Sequence, residues 1–188
     1  MIEPLVHGAR ILCLGVPDMP MGHADATFAA YAWKRGAVEL DTVDVIAHHG
    51  FEDIVNLNLP HIWKRHYDLV INPGTLEHCF NIGQAWRTAW DAVDVNGWMV
   101  SVVPVTLLNH GYWNVNPIAL VDWCEANGGR VRRTAYAING ASHEEVSAGA
   151  IPNSRSGRGC FPPETVGYFQ MRKTEFVSTH WPAQGVYR

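Results

Sequence analysis

Short apolar runs alternate along the chain with segments of helical periodicity. The apolar runs are rich in valine, leucine and isoleucine, which is typical of buried strands. The segments that predict strands are residues 9–15, 37–46, 52–58, 67–71, 98–105, 130–138 and 165–173. Those that predict helices are residues 23–36, 82–95 and 117–129. This alternation predicts an α/β fold.

The segment after Asn81 has the clearest helical pattern in the sequence. Asn81 is a favourable N-cap residue, and Gln84 follows three positions later, as in a capping box. Apolar residues then recur at helical spacing as far as Val93, and Asn96-Gly97 is typical of a helix end. The sequence therefore predicts one long amphipathic helix here.

The order of these elements predicts the architecture. Strands separated by helices favour a mostly parallel sheet with helices on both faces, which is a three-layer sandwich. The last two predicted strands, residues 130–138 and 165–173, have no helix between them and can pair antiparallel. A chain of 188 residues has the usual length of one domain, so we expect residues 1–188 to form a single domain.

Composition excludes several classes of partner. The net charge is −4 and the isoelectric point is near 6.2, whereas nucleic acids and acidic membranes are bound by clustered basic side chains. We therefore expect no nucleic-acid partner. No apolar run approaches the roughly 20 residues that cross a bilayer, so we expect no membrane partner either. Four widely spaced cysteines without a C-x-x-C pair are typical of reduced thiols, and we expect a cytoplasmic protein.

The candidate site follows from where the predicted strands end. In parallel α/β sheets, ligands bind at the carboxyl ends of the strands. The segments expected at this edge are residues 15–21, 44–49, 56–58, 72–78 and 104–113. In one of them, Glu77 and His78 place a carboxylate and an imidazole side by side.

A resemblance to class I S-adenosylmethionine-dependent methyltransferases is carried by three segments, YDLVINPGTLEHCFN, DAVDVNGWMVSVVPV and HGYWNVNPIALVDWCEANGG. These segments resemble the fourth strand, the fifth strand and the helices after them in that family. The resemblance is specific over the middle third of the chain, and it extends to the rest by element order. It implies a Rossmann-like, mostly parallel seven-stranded sheet with an antiparallel last strand. It also implies S-adenosylmethionine as the cofactor.

The resemblance further implies roles for residues at the strand ends. Gly15 would lie under the methionine part of the cofactor, and Asp44 would accept hydrogen bonds from the ribose hydroxyls. Asp41 is an alternative for the ribose contact, because the register of the second strand is open. The other residues expected to line the cofactor site are Asn56 and Leu57 at the adenine, Asn72 and Gly74 at the methionine end, and Glu77 in the same cavity.

The first loop departs from the family's pattern. The family usually has an acidic residue and then three glycines at alternate positions, where this chain has Cys13, Gly15, Pro17 and Met19. Glycine permits close backbone approach, whereas proline fixes φ and removes an amide donor. The departure favours, as an alternative, a non-catalytic binding or scaffold protein with a methyltransferase-like fold. A nicotinamide oxidoreductase is disfavoured, because no G-x-G-x-x-G follows a strand.

The candidate catalytic residues follow the fourth and fifth strands. Methylation of a hydroxyl or a protonated amine needs a base near the methyl group. His110 is the first candidate for that base, His78 is the second, and Tyr112 can orient the acceptor. His48-His49 lacks the spacing of a metal site, so no metal is expected. We expect methyl transfer to an unidentified small molecule, by a chain that can form a homo-oligomer.

Overall fold

The computed structural model describes residues 2–17, 27–47, 49–138, 142–146 and 161–183. Within these residues, eight strands form one sheet: β1 (Arg10–Leu14), β2 (Glu39–Asp44), β3 (Asp53–Ile54), β4 (Tyr67–Asn72), β5 (Val93–Pro104), β6 (Gly129–Ile138), β7 (Ser142–Val146) and β8 (Thr165–Lys173). The described helices are α1 (Glu3–Val6), α2 (Phe28–Lys34), α3 (Ile82–Asp91) and α4 (Pro117–Ala126), with a 3-10 turn at Leu76–His78. None of these helices has both the length and the apolar character that a membrane span requires.

The strands follow the order β3-β2-β1-β4-β5-β8-β6-β7 across the sheet. The first five run parallel to one another, whereas β8 pairs antiparallel with both β5 and β6. The predicted mostly parallel sheet with an antiparallel last strand is therefore confirmed. The sequence predicts seven strands, and β7 is an additional edge strand that pairs antiparallel with β6. Its sequence, SHEEV, lacks the apolar run that identifies the others.

The side chains of β1 show how the sheet separates two hydrophobic cores. Leu12 and Leu14 point into the core that α3 and α4 complete, while Ile11 and Cys13 point into the core with α1 and α2. All four are at most 1% exposed. Full burial of an aliphatic side chain of this size stabilises a fold by about 1.5–3 kcal/mol. Residues that alternate between two buried faces require the three-layer arrangement that the sequence predicts.

Helix α3 begins as predicted but ends earlier. The side chain of Asn81 accepts a hydrogen bond from the backbone N–H of Gln84 at 3.4 Å, which confirms the N-cap. The predicted end at Asn96-Gly97 is wrong, because the helix stops at Asp91 and Val93 already belongs to β5. Asn96 has a φ of +65° where the register between β4 and β5 shifts. The Asn-Gly pair therefore marks an irregularity in a strand rather than the end of a helix.

Lys173, the last residue of β8, is a buried basic side chain. It is 2% exposed, and its Nζ donates hydrogen bonds to the carbonyl oxygens of Trp90 and Val93 at 2.9 and 3.0 Å. Burial lowers its pKa to about 8, because removing water disfavours the charged form. This lysine joins β8 to the end of α3 and the start of β5.

Candidate functional site

The carboxyl ends of β1, β2 and β4 lie side by side at one edge of the sheet. In β1, Leu14 pairs with Val43 of β2, and Cys13 pairs with Ile71 of β4. Gly15, which follows β1, donates its backbone N–H to the carbonyl oxygen of Val43 at 2.7 Å. The loops after these strands therefore start from neighbouring positions.

Gly15 lies in close contact with the loop after β4. Its φ is +81°, and a Cβ atom at this position would lie 2.7 Å from Oγ1 of Thr75. The same Thr75 hydroxyl donates a hydrogen bond to the carbonyl oxygen of Leu14 at 2.6 Å. Glycine is therefore required here both by the backbone conformation and by the neighbouring threonine. The sequence identifies Gly15, but its contact with Thr75 depends on the packing of two loops.

Asn72, the last residue of β4, has a fully buried side chain. Its Oδ1 accepts hydrogen bonds from the backbone N–H groups of Thr75 and Leu76 at 2.8 and 3.1 Å, and its Nδ2 donates to Oγ of Ser101 at 2.7 Å. These bonds hold the turn after β4 against β5. Contact between Asn72 and a cofactor stays a prediction, and the bonds give this side chain a role in shaping the loop.

The structure distinguishes the two aspartates of β2. Asp44 is the last residue of the strand, and its Oδ1 accepts a hydrogen bond from the backbone N–H of Val45 at 2.6 Å. Asp41 lies in the middle of the strand beside Leu12, and its Oδ2 accepts a hydrogen bond from the Tyr67 hydroxyl at 2.7 Å. Asp44 is therefore the carboxylate at the ligand-binding edge, and its contact with ribose stays a prediction.

The loop after β3 carries the two residues expected at the adenine. Leu57 is 5% exposed and belongs to the core. Asn56 is exposed, and its Oδ1 accepts hydrogen bonds from the backbone and side-chain amides of Asn58 at 3.0 Å. Asn58 in turn accepts a hydrogen bond from the N–H of Asn81. This loop is thereby tied to the start of α3, and its contact with adenine stays a prediction.

Glu77 is a buried carboxyl group in the 3-10 turn after β4. It is 1% exposed, its Oε1 lies 3.6 Å from Nε2 of His110, and its Oε2 has no hydrogen-bond partner among the described residues. Burial raises its pKa to about 7, because desolvation disfavours the charged form. Gly74, with a φ of +108°, leaves the space beside Oε1 open. Such a perturbed group at a strand end is typical of functional sites.

The two candidate bases lie together beside Glu77. The ring centroids of His78 and His110 are 5.2 Å apart, in an edge-to-face arrangement. Burial lowers the pKa of His78, and the neighbouring His110 lowers it further. The structure therefore brings together Glu77, His78 and His110, which the sequence places after two different strands.

Backbone contacts hold these two loops in place. The N–H of Tyr112 donates a hydrogen bond to the carbonyl oxygen of Glu77 at 3.0 Å. A Cβ atom at Gly111 would lie 3.0 Å from both Cγ and the carbonyl oxygen of Glu77. Sequence reasoning misses Gly111, because a glycine beside a candidate base carries no turn motif of its own.

Exposed aromatic rings border the histidines. Tyr112 is 68% exposed, and its ring centroid lies 5.6 Å from that of Phe80, which is also exposed. Trp113 donates its indole N–H to the carbonyl oxygens of Cys79 and Phe80 at 3.1 and 3.2 Å. Tyr112 is a candidate from the sequence, but Phe80 is not. The contact of Phe80 with Tyr112 cannot be deduced from residue spacing, because the two residues lie in different loops.

The same cluster has the donor set of a divalent cation site. One ligand atom each from Glu77, His78 and His110 lie within 4.8 Å of one another. Carboxylate oxygen and imidazole nitrogen both bind zinc and related ions. No metal is expected from the sequence, because His48-His49 lacks the spacing of a metal site. His48 itself is outside the described residues, and so is Met19 of the first loop.

The thiols of Cys13, Cys79 and Cys124 are free and buried, as the spacing of the cysteines predicts. In the first loop, the carbonyl oxygen of Pro17 accepts a hydrogen bond from the N–H of Phe28 at 3.3 Å. This bond joins the described part of the loop to the first residue of α2.

No protein-family model matches the sequence, and no curated protein matches it. Solved structures do. The 1,6-didemethyltoxoflavin-N1-methyltransferase of Burkholderia thailandensis, with bound 1,6-didemethyltoxoflavin and S-adenosylhomocysteine, is 14% identical over 93% of this chain and 75% of that one, with a TM-score of 0.59. An S-adenosylmethionine-dependent methyltransferase of Archaeoglobus fulgidus is 12% identical over 90% and 89%, with a TM-score of 0.52.

The protein has the class I methyltransferase fold. A third similar structure, an S-adenosylmethionine-dependent methyltransferase of Mesorhizobium loti, is 17% identical over 77% of this chain, which spans 59% of that protein's length, with a TM-score of 0.42. The structures from Burkholderia thailandensis and Archaeoglobus fulgidus confirm the resemblance noted in the sequence for the fold. Gly15, Asp44 and Glu77 end or follow parallel strands at the edge of the sheet where ligands bind in open α/β folds.

Proposed function

We propose that the protein transfers a methyl group from S-adenosylmethionine to a small-molecule acceptor. The proposal rests on the Glu77–His110 pair, which follows the strands of the ligand-binding edge. A buried carboxyl group without a full set of partners destabilises a fold, so a role in ligand chemistry accounts for it better than a role in stability. One solved protein with this fold holds both S-adenosylhomocysteine and 1,6-didemethyltoxoflavin, which supports a cofactor and a small acceptor of these classes.

Two features of the chain fit S-adenosylmethionine. Gly15 follows β1 with a φ of +81°, and its lack of a side chain lets the Thr75 hydroxyl pack against it, so the loops after β1 and β4 meet at the edge. Asp44 offers a carboxylate at the end of β2, and a carboxylate can accept hydrogen bonds from both ribose hydroxyls. We assign Asn56 and Leu57 to the adenine, and Asn72 and Gly74 to the methionine end.

When bound, S-adenosylmethionine supplies an electrophilic methyl group. The residues of this chain would then hold the acceptor in line and take up its proton. Correct positioning of two reactants is worth up to about 7–11 kcal/mol of the barrier. We assign this positioning to the loops that carry Glu77 and His110, with the exposed Tyr112 orienting the acceptor.

His110 is the first candidate for the base. Its Nε2 faces the Glu77 carboxyl group at 3.6 Å, so Nδ1 is the nitrogen that would accept the acceptor's proton. The resulting imidazolium would be stabilised by the nearby carboxylate. His78 is the second candidate, because its ring packs against that of His110.

Calorimetric titration with S-adenosylmethionine and S-adenosylhomocysteine tests the cofactor first. Saturable binding of both supports the proposal, and release of S-adenosylhomocysteine in a screen of small hydroxyl, amine and ring-nitrogen compounds then identifies the acceptor. Absence of binding would favour the alternative, a non-catalytic scaffold protein with an altered first loop. The single domain over residues 1–188, the cytoplasmic location and the homo-oligomer stay predictions.

A further inference from the structure

Three aromatic side chains adjoin one another beside the two histidines of the candidate site. Phe80 follows the 3-10 turn that carries His78, while Tyr112 and Trp113 follow His110. Phe80 and Tyr112 are 72% and 68% exposed, and Trp113 is 39% exposed. We call these three residues the aromatic patch. Large apolar side chains that adjoin one another at a protein surface are typical of binding sites, whereas isolated ones are common everywhere.

Hydrogen bonds to the backbone hold the aromatic patch in place. The Trp113 indole N–H donates to the carbonyl oxygens of Cys79 and Phe80 at 3.1 and 3.2 Å, and the backbone N–H of Tyr112 donates to the carbonyl oxygen of Glu77 at 3.0 Å. These bonds tie the loop after β5 to the loop after β4. The patch is therefore formed before a ligand arrives, which lowers the entropic cost of binding.

The two most exposed rings stand almost at right angles. The centroids of Phe80 and Tyr112 are 5.6 Å apart, and their planes are inclined by 81°. A flat ring that stacks on one of them therefore meets the other edge to face. Offset stacking and edge-to-face contact are the two arrangements that aromatic rings prefer, so this corner suits a planar aromatic molecule.

The aromatic patch lies close to the proposed base. Tyr112 is two residues from His110, and Phe80 is two residues from His78, so the Cα atoms of each pair are at most about 7 Å apart. The ring centroids of the two imidazoles are 5.2 Å apart. A molecule that stacks on the patch is therefore within reach of an imidazole through a polar group on its edge.

The charges of the two loops favour an uncharged molecule. Residues 72–82 and 104–116 contain no lysine or arginine. Their carboxyl and imidazole groups belong to Glu77, His78 and His110. A ligand with a carboxylate or a phosphate would find no counter-ion on these loops and would face the buried carboxyl group of Glu77, which repels an anion when it is ionised.

We propose that the methyl acceptor is an uncharged, planar aromatic molecule with an ionisable O–H or N–H group. It stacks on Phe80 or Tyr112 and presents that group to His110. This inference rests on the proposed methyl transfer, whose acceptor it names by chemical class. The oxygen or nitrogen that gives its proton to His110 would form the bond to the methyl carbon as the bond from that carbon to the cofactor's sulfur breaks, with release of S-adenosylhomocysteine.

Three compounds test the class of acceptor. The first, 2-naphthol, is planar and carries one ionisable hydroxyl group. The second, trans-decahydro-2-naphthol, keeps the fused rings and the hydroxyl group but is not aromatic, and the third, 2-naphthoic acid, is planar but anionic at neutral pH. Calorimetric titration should show 2-naphthol binding at least about fivefold more tightly than either of the others, as two aromatic contacts predict.

Three results of these titrations would overturn the proposal. They are equal affinities for the two alcohols, tighter binding of the acid, and no saturable binding of 2-naphthol up to about 5 mM, the weakest Kd expected for a specific ligand of this size.

Three variants locate the binding. Phe80→Leu and Tyr112→Leu each keep an apolar side chain and remove an aromatic face. Each should weaken the binding of 2-naphthol about 2–12-fold and leave that of the saturated alcohol within about twofold. Trp33→Leu removes an exposed ring on α2 and should change neither affinity. An affinity for 2-naphthol that is unchanged in both Phe80→Leu and Tyr112→Leu would refute the assignment, and thermal unfolding confirms that each variant is folded.

Titrations with and without S-adenosylhomocysteine separate this inference from the proposed function. Binding of S-adenosylhomocysteine together with equal affinities for the two alcohols would refute the aromatic class and leave methyl transfer in place. Failure of S-adenosylhomocysteine to bind, with the preference for 2-naphthol intact, would refute methyl transfer and leave the aromatic patch as a binding site for aromatic molecules.

Discussion

Oε1 of Glu77 lies 3.6 Å from Nε2 of His110, across two loops that follow different strands of the sheet. One partner is buried and the other is half-exposed, so the pair joins the protein interior to the solvent side of the site. The imidazole therefore faces a carboxyl group that water does not reach.

Replacing Glu77 by glutamine should change how stability depends on pH. The pKa of Glu77 is raised from 4.5 to about 7, so its favourable contribution is fully present below about pH 4.5 and is lost as the pH rises to about 7. We expect the free energy of unfolding of Glu77→Gln, measured in urea, to rise by about 2–3 kcal/mol relative to that of the wild type from pH 5 to pH 8. If the free energy of unfolding changed equally with pH in the two proteins, the carboxyl group would not titrate in this range.

His110→Ala should lower methyl transfer by roughly 10²–10⁴-fold, because a positioned base contributes that much. Binding of S-adenosylmethionine should be nearly unchanged, since His110 follows β5, whereas the residues proposed for the cofactor end or follow β1, β2, β3 and β4. Single-turnover rates and calorimetry measure the two effects separately. Full activity in this variant, together with lost activity in His78→Ala, would move the role of base to His78.

Asp44→Ala should weaken the binding of S-adenosylmethionine by about 1.5–3 kcal/mol, the usual loss for a hydrogen bond that involves a charged group. Asp41→Asn is the matched control. It changes an aspartate of the same strand whose carboxylate is bonded to Tyr67, and it should leave the affinity unchanged. If only the Asp41 variant loses affinity, the ribose contact belongs to Asp41 instead.

Zinc should inhibit the proposed methyl transfer, and chelators should not. A zinc ion held by Glu77, His78 and His110 would occupy imidazole nitrogen and prevent it from accepting a proton. His78→Ala removes one ligand and should therefore relieve the inhibition while retaining activity. Loss of activity in EDTA, restored by a divalent cation, would instead make the cluster a metal site required for turnover.

The contribution of Lys173 to stability, measured as the difference in free energy of unfolding between the wild type and Lys173→Met, should rise between pH 8 and pH 10.5, because the pKa of Lys173 is lowered from 10.5 to about 8 in the folded state. The buried thiols, whose pKa values are raised, act in the opposite direction in both proteins. At this residue the unfolded chain binds more protons in this window, so the contribution of Lys173 to folding becomes more favourable as the lysine loses its charge. Lys173→Met should remove this rise. Denaturant unfolding at pH 8, 9 and 10 measures the free energies of unfolding. Lys34→Met on α2 is a control that should retain the rise.

The sequence predicts the order of elements well, because buried strands and amphipathic helices differ in period. Prediction from the sequence fails where one residue pattern is compatible with two local structures. Asn96-Gly97 reads as a helix end, yet the pair forms an irregularity inside β5. The edge strand Ser142–Val146 is missed, because a strand paired on one side needs no continuous apolar run.

The candidate site was predictable in position but not in its pairings. Strand ends locate Gly15, Asp44 and Glu77 at one edge without any knowledge of contacts. That Glu77 reaches His110 depends on the backbone bond from Tyr112 and on the missing side chain of Gly111. Packing between two loops sets these distances, and they cannot be deduced from the spacing of residues along the chain.

Gly111 gives this arrangement a further property. Because Glu77 lies 3.0 Å from where the first side-chain carbon of residue 111 would stand, one added methyl group would force the two loops apart. A larger residue 111 would therefore change the separation of Glu77 and His110 without altering any ionisable group. The separation of Glu77 and His110 thus depends on a residue that has no charge of its own.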